Sequence, residues 1–190
     1  MQVTVGVSAR HVHLTQETYE KLFKTTQIEK LNDIDQPGQF ASKSVVTIKN
    51  GEHKIENVRI VGPFRKYNQV ELSRTDCYHL KLEAPVRASG DLENTTPITI
   101  VGPYGEAVLD KGLILANRHI HIRPQDMEKY GFDENTKLCA KVDGQKAGIM
   151  KNVYLKVEET ASLRLHLDTD DANAFDLKNG DEVEILRIKE

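Results

Sequence analysis

Val3, Val5 and Val7 alternate with Gln2, Thr4 and Gly6, the period of two that turns one face of a strand into a core and leaves the other half-buried. This strand delivers the chain to Ser8-Ala9-Arg10-His11. Thr15 stands as an N-cap before a short helix expected from Gln16 to about Lys24, with Tyr19, Leu22 and Phe23 on its inner side. Thr25 to Lys43 is polar and contains Pro37-Gly38, the composition of a loop or a small insert. Val45-Val46-Thr47-Ile48 then leads to Asn50-Gly51, a two-residue hairpin signal, and the return strand runs through Ile55 and Val58 to Ile60-Val61.

The rhythm persists to the end of the chain. Gly62-Pro63-Phe64-Arg65 and Gly102-Pro103-Tyr104-Gly105 each follow an Ile-Val pair and read as turns. Leu113-Ile114-Leu115 is an apolar run, and Pro124 opens another short helix that stops at Gly131. Thr136–Val142 and Asn152–Val157 read as strands, with Asp143-Gly144 as a turn. Leu163, Leu165 and Leu167 alternate with Arg164, His166 and Asp168, so His166 leaves the strand on the side away from the leucines. From Phe175 to Ile185 the pattern predicts a short helix, a tight turn and a final strand. Many short strands with short helices between them, and nothing with a regular βαβ period, predict a mostly β fold of small barrels. An eight-stranded α/β barrel would need roughly 250 residues.

Composition narrows the class. A chain of 190 residues has room for one or two domains. With 38% hydrophobic and 29% charged residues and a net charge of −3, it lacks the basic excess of a nucleic-acid surface. No apolar run approaches the roughly 18 residues of a membrane span. Met1-Gln2-Val3 enters a strand directly, so the expectation is a cytoplasmic protein without a targeting peptide. Cys77 and Cys139 are far apart and form no Cys-x-x-Cys pair, which fits reduced, buried thiols.

Candidate chemistry enters through a repeat. Four of the seven histidines sit in Arg10-His11-Val12-His13 and Arg118-His119-Ile120-His121. On a strand, residues i and i+2 share a face, so each unit presents two imidazoles to one point, a natural half-site for a metal ion. Each needs a third donor. In Gln69-Val70-Glu71-Leu72-Ser73-Arg74, Val70 and Leu72 face one way and Gln69, Glu71 and Ser73 the other. Spacing alone leaves Glu71 as either a solvated carboxylate or a third ligand. His166 precedes Asp168-Thr169-Asp170-Asp171-Ala172-Asn173, a run rich in oxygen donors, and leads the candidates for joining His119 and His121. Ala84-Pro85-Val86-Arg87-Ala88-Ser89-Gly90 is either an exposed loop or a turn that holds an anion through Arg87 and backbone amides.

Five of these stretches, in this order, resemble the PduL-type phosphate propanoyltransferases, or phosphotransacylases: Ser8–Leu14, Gln69–Asp76, Ala84–Gly90, Arg118–His121 and His166–Asn173. The likeness spans nearly the whole chain. It implies the reversible conversion of a short-chain acyl-CoA, acetyl-CoA or propanoyl-CoA, and phosphate into acyl phosphate and CoA, at a site with two zinc ions between two small β-barrel domains capped by short helices. One barrel would comprise residues 1–8 and 117–190. The other would comprise 9–116, with a small insert around 25–43. Carried over by position, His11, His13 and Glu71 match the ligands of a zinc that also meets the CoA sulfur. His119, His121 and His166 match those of a second zinc open to water or phosphate. Arg65 falls where the family places a phosphate-handling arginine, and Arg87 and Asn173 are further candidates for binding phosphate or CoA. Implied partners are acyl-CoA, phosphate and acyl phosphate, with neither nucleic acid nor membrane. Family members are often dimers, so a homodimer is an expectation, and propanediol degradation is the implied setting. The segment that addresses some members to bacterial microcompartments is not seen ahead of the first strand, which points to a free enzyme. Two other readings of the histidines stay open here: a metal-dependent hydrolase and a non-catalytic metal-binding sensor.

Overall fold

The computed structural model describes residues 1–188. In chain order its strands and helices are β1 (Gln2–Ser8), β2 (His11–His13), α1 (Gln16–Phe23), β3 (Lys30–Asp33), β4 (Phe40–Asn50), β5 (His53–Gly62), β6 (Gln69–Glu71) and α2 (Arg74–His79). They continue with β7 (Val86–Arg87), β8 (Thr96–Gly102), β9 (Gly105–Ala116), β10 (His119–Ile122), α3 (Pro124–Tyr130), β11 (Leu138–Val142), β12 (Gly148–Val157), β13 (Arg164–Asp168), α4 (Thr169–Ala174) and β14 (Glu182–Arg187). The chain divides into two compact units, Met1–Ser8 with the segment from Asn117 onward, and Ala9–Ala116. Each is built around a closed ring of six strands, so the fold is mostly β with short helices, as the alternating pattern predicts.

In the first unit the ring runs β1-β13-β10-β12-β11-β14 and closes on β1. Neighbours pair parallel at β1/β13 and β10/β12 and antiparallel elsewhere. In the second unit the ring runs β9-β6-β2-β5-β4-β8 and closes on β9. It too pairs parallel at β9/β6 and β2/β5 and antiparallel elsewhere. The two rings therefore share one cyclic order of pairings. β10 corresponds to β2 in it, and β13 to β6.

Alternation builds both cores. Val3 and Val5 of β1, Ile120 and Ile122 of β10, and Leu165 and Leu167 of β13 are buried in the first barrel. Val12, Ile48, Ile60, Val70, Ile100 and Leu113 fill the second. Cys77 and Cys139 are buried thiols outside any disulfide among the described residues. No helix among the described residues is long and apolar enough to cross a membrane.

Helix ends follow local hydrogen bonding. The Thr15 hydroxyl accepts from the Thr18 amide at the start of α1, and Lys24 closes the helix in the left-handed region at φ 57°. Three elements depart from the sequence expectations. The stretch read as loop or insert contains β3, paired along the start of β4, because the polar Lys30–Asp33 segment finds ladder partners at Phe40–Ser42. After Glu71 the chain leaves the strand: Ser73 and Asp76 form a reciprocal capping box that starts α2. The last helix lies before Phe175 rather than after it, because the Asp168 carboxylate accepts from the Asp171 amide and makes the oxygen-rich run the first turn of α4.

Candidate metal centres

The His-x-His units lie on very short strands, and the residue between the histidines decides which way they face. Val12 and Ile120 are fully buried in their barrel cores, so His11 with His13, and His119 with His121, share the opposite faces of β2 and β10. The antiparallel neighbour then supplies the third donor. On β6, Glu71 stands directly across from His11; on β13, His166 stands directly across from His119. The donors of each trio lie within 4.8 Å of one another.

In the first trio the two Nε2 atoms are 3.1 Å apart, with the Glu71 carboxylate oxygens 3.6 Å from His11 and 3.9 Å from His13. In the second, the Nε2 atoms of His119 and His121 are again 3.1 Å apart, and the His166 ring centroid lies 4.4 Å from that of His121. Ligand atoms about 2.1 Å from a tetrahedral ion stand roughly 3.4 Å from each other, and the separations of 3.1, 3.6 and 3.9 Å in the first trio and the 3.1 Å histidine pair of the second come near that spacing.

The protonation pattern points the same way. His11 donates Nδ1–H to the Ala9 carbonyl at 3.0 Å, and His13 donates Nδ1–H to the Val61 carbonyl at 3.1 Å. His119 donates to the Asn117 carbonyl and His121 to the Glu158 carboxylate, both at 2.7 Å. All four acceptors lack a proton, which assigns the proton to Nδ1 in each ring. In the tautomer with Nδ1 as the sole protonated nitrogen, each pair aims bare Nε2 lone pairs at one another, an arrangement that repels unless a cation sits between them. Burial also disfavours the charged form at two of the six donor residues, His13 and His166. Burial, reinforced by His11 and Arg65 and opposed by Glu71, pushes His13 down to about 3. Burial, then His121 and His119, push His166 down to about 2.

The supporting residues repeat as well. Arg10 pairs with Asp76 at 2.9 Å, and Arg118 grips Asp171 with two bonds of 2.8 and 2.7 Å. Each aspartate is the third residue of the helix that follows the third donor's strand, and each lies five positions beyond that donor. Each clasp thus ties the arginine beside a His-x-His pair to the segment bearing the third candidate donor.

Around the first trio the contacts continue. Gln69 is fully buried; its amide donates to Glu71 at 2.5 Å and to the Ser89 hydroxyl at 2.8 Å, while its oxygen accepts from the Gly90 amide at 2.8 Å. Arg65 donates to the Gln39 side chain at 2.9 Å and to the Tyr67 hydroxyl at 3.1 Å, and its charge is felt at His13. Both acceptors are neutral, which leaves the guanidinium charge available to an anion. Arg87 is turned to the Val86 carbonyl and stands 3.6 Å from Asp91. Asn173 lies exposed near the end of α4, its carbonyl accepting from Lys146 at 2.7 Å.

Sequence reasoning missed Gln69, Glu158, Gly6 and the two clasps. Gly6 pairs with His166, and a Cβ there would come within 3.2 Å of the His166 ring and 2.8 Å of Arg164. The clasps left one readable trace, the equal offset from Glu71 to Asp76 and from His166 to Asp171. For Glu158, 37 residues from His121, only the fold makes the pairing visible.

A family model described as phosphate propanoyltransferase matches residues 4–178. A Thermotoga maritima protein of that name is 46% identical over 188 residues, covering 98% of this chain and 90% of its own. One from Lachnoclostridium phytofermentans is 44% identical, covering 97% of this chain and 87% of its own. One from Salmonella typhimurium is 39% identical, covering 93% and 85%.

Proposed function

The chain belongs to the phosphate propanoyltransferase family, an acyltransferase family, and from that premise we propose that it exchanges short-chain acyl groups, acetyl or propanoyl, between CoA and phosphate at two zinc sites. The observation that carries the metal part is the pair of three-donor clusters whose imidazole lone pairs converge within 3.1 Å. His11, His13 and Glu71 would hold one ion, and His119, His121 and His166 the other. Three protein donors each, with a position left for an exchangeable ligand, is the pattern of catalytic zinc. Bound there, zinc would stabilise the CoA thiolate as leaving group and offset the charge of phosphate.

The remaining work falls to side chains. Arg65, held by Gln39 and Tyr67, presents its guanidinium to phosphate and cancels part of the repulsion between an anionic nucleophile and the developing oxyanion. Gln69 fixes the Glu71 carboxylate, so the first trio meets its ligand already assembled. The oxygen of phosphate attacks the thioester carbonyl, and the sulfur departs as CoA thiolate. No acyl-enzyme is required, and the burial of both cysteines supports direct attack. Rapid-quench recovery of an acylated protein would overturn that step.

The reading is tested by measuring CoA release from acetyl-CoA and propanoyl-CoA, with and without phosphate, on protein whose metal has been counted and then stripped. Phosphate-dependent release that vanishes with the metal and returns with zinc is expected. Release independent of phosphate would instead mark a hydrolase, and no release from folded, metal-loaded protein a sensor.

A further inference from the structure

The two trios are built on one plan and differ at two points. In the first, the third donor is the Glu71 carboxylate, and the Nδ1 of the second histidine, His13, is bonded to a backbone carbonyl, that of Val61. In the second, the third donor is the neutral His166, and the Nδ1 of His121 is bonded to a carboxylate, Glu158 Oε2, at 2.7 Å. A carboxylate present among the ligands of one site has its counterpart one bond further out in the other.

We infer that Glu158 is the positioning and charge-balancing residue of the three-histidine site. This rests on the metal reading given above. Glu158 is anchored by its own amide, which donates to the Ile122 carbonyl at 3.0 Å, directly after the His121 strand position. Its other carboxylate oxygen faces Lys156 at 3.3 Å. From there it sets the tautomer of His121, holds the ring in the plane that aims Nε2 at His119, and makes the imidazole a stronger donor to a divalent cation. The cation keeps three neutral ligands of its own, which preserves its attraction for an anionic substrate oxygen. His121 is 2% exposed, so a ring freed from this bond would have to find another acceptor in a dry setting.

The test is competition for Zn²⁺ against a chromophoric chelator, together with the visible spectrum of the Co²⁺-loaded protein. Wild type should show two binding constants. Glu158→Gln, which keeps the shape but places a neutral amide at His121, should weaken one of them roughly 10- to 100-fold, leave the other unchanged, and alter the Co²⁺ bands of that site alone. In a His166→Gln background, where the three-histidine site is already disabled, Glu158→Gln should change nothing further. Lys156→Met, which removes the ion pair to Glu158 and a positive charge felt at His166, should weaken neither constant and serves as the control for folding and for loss of that ion pair. Two unchanged constants in Glu158→Gln would reduce Glu158 to a surface ion-pair partner and overturn the inference while leaving the metal reading intact. A folded wild type that binds neither Zn²⁺ nor Co²⁺ would sink both.

Discussion

His13 and His166 are held neutral by burial at ring positions that a water-exposed histidine would occupy half-charged near pH 6.5. Their folded values, about 3 and about 2, lie below the unfolded one, so between those limits the unfolded chain binds more protons than the folded one. Their contribution to stability is complete above about pH 6.5 and is lost as the pH falls toward 3. Metal-free protein should therefore lose melting temperature on acidification through that window, and His13→Gln should flatten the profile; a profile unchanged in the variant would refute the assignment. Gly6 makes a second prediction at this scale. Because a Cβ there would press on His166 and Arg164, Gly6→Ala should weaken metal at the three-histidine site in chelator competition while leaving the other site as it was. Arg65 makes a third. Arg65→Gln should lower turnover on the order of 10²- to 10³-fold, with the loss shared by phosphate affinity. A variant with wild-type phosphate saturation would remove Arg65 from phosphate handling.

Elements set the trios by cross-strand register. β2 and β10 are only three and four residues long, so a slip of one position on β6 or β13 would turn Glu71 or His166 into the core and bring Val70 or Leu165 out. The Arg10–Asp76 and Arg118–Asp171 clasps resist that slip by tying each His-x-His strand to the helix after the third donor. Asp171→Ala removes two charge-assisted bonds from the partly buried Arg118 guanidinium, and a loss of about 1–3 kcal/mol in denaturant unfolding is expected. Much of this was readable beforehand: the doubled Arg-His-x-His units, the period of two at Val3-Val5-Val7 and the Thr15 cap are all local patterns. α4 was misplaced because Asp168 reads equally as a strand residue and as a cap until its bond to the Asp171 amide is seen.

At the scale of the whole molecule, each barrel core holds its own histidine pair in place. Val12 and Ile120 are the pivots, each fully buried between two donor residues. Ile120→Ala should cost roughly 2–5 kcal/mol as cavity and lost transfer energy. Through the loosened β10 it should also weaken metal binding more at His119, His121 and His166 than at the other trio. Zinc should raise the melting temperature with the logarithm of its concentration over its dissociation constant, an effect a chelator abolishes.

The sequence by itself determined the fold class and the strands bearing His-x-His, because alternation, caps and i,i+2 spacing are properties of a few neighbouring residues; spacing left Glu71 open and His166 a leading candidate, and only the family resemblance joined them to the histidine pairs. Only the tertiary structure decided that Glu71 lies opposite His11 and His166 opposite His119. It alone revealed Gln69 and Glu158 behind the donors, and the same pairing order in both barrels. The physical reason is that a barrel closes by hydrogen bonds between strands as distant in sequence as those of Gln2 and Glu184, and which residues meet follows from register and ring closure rather than from any local propensity.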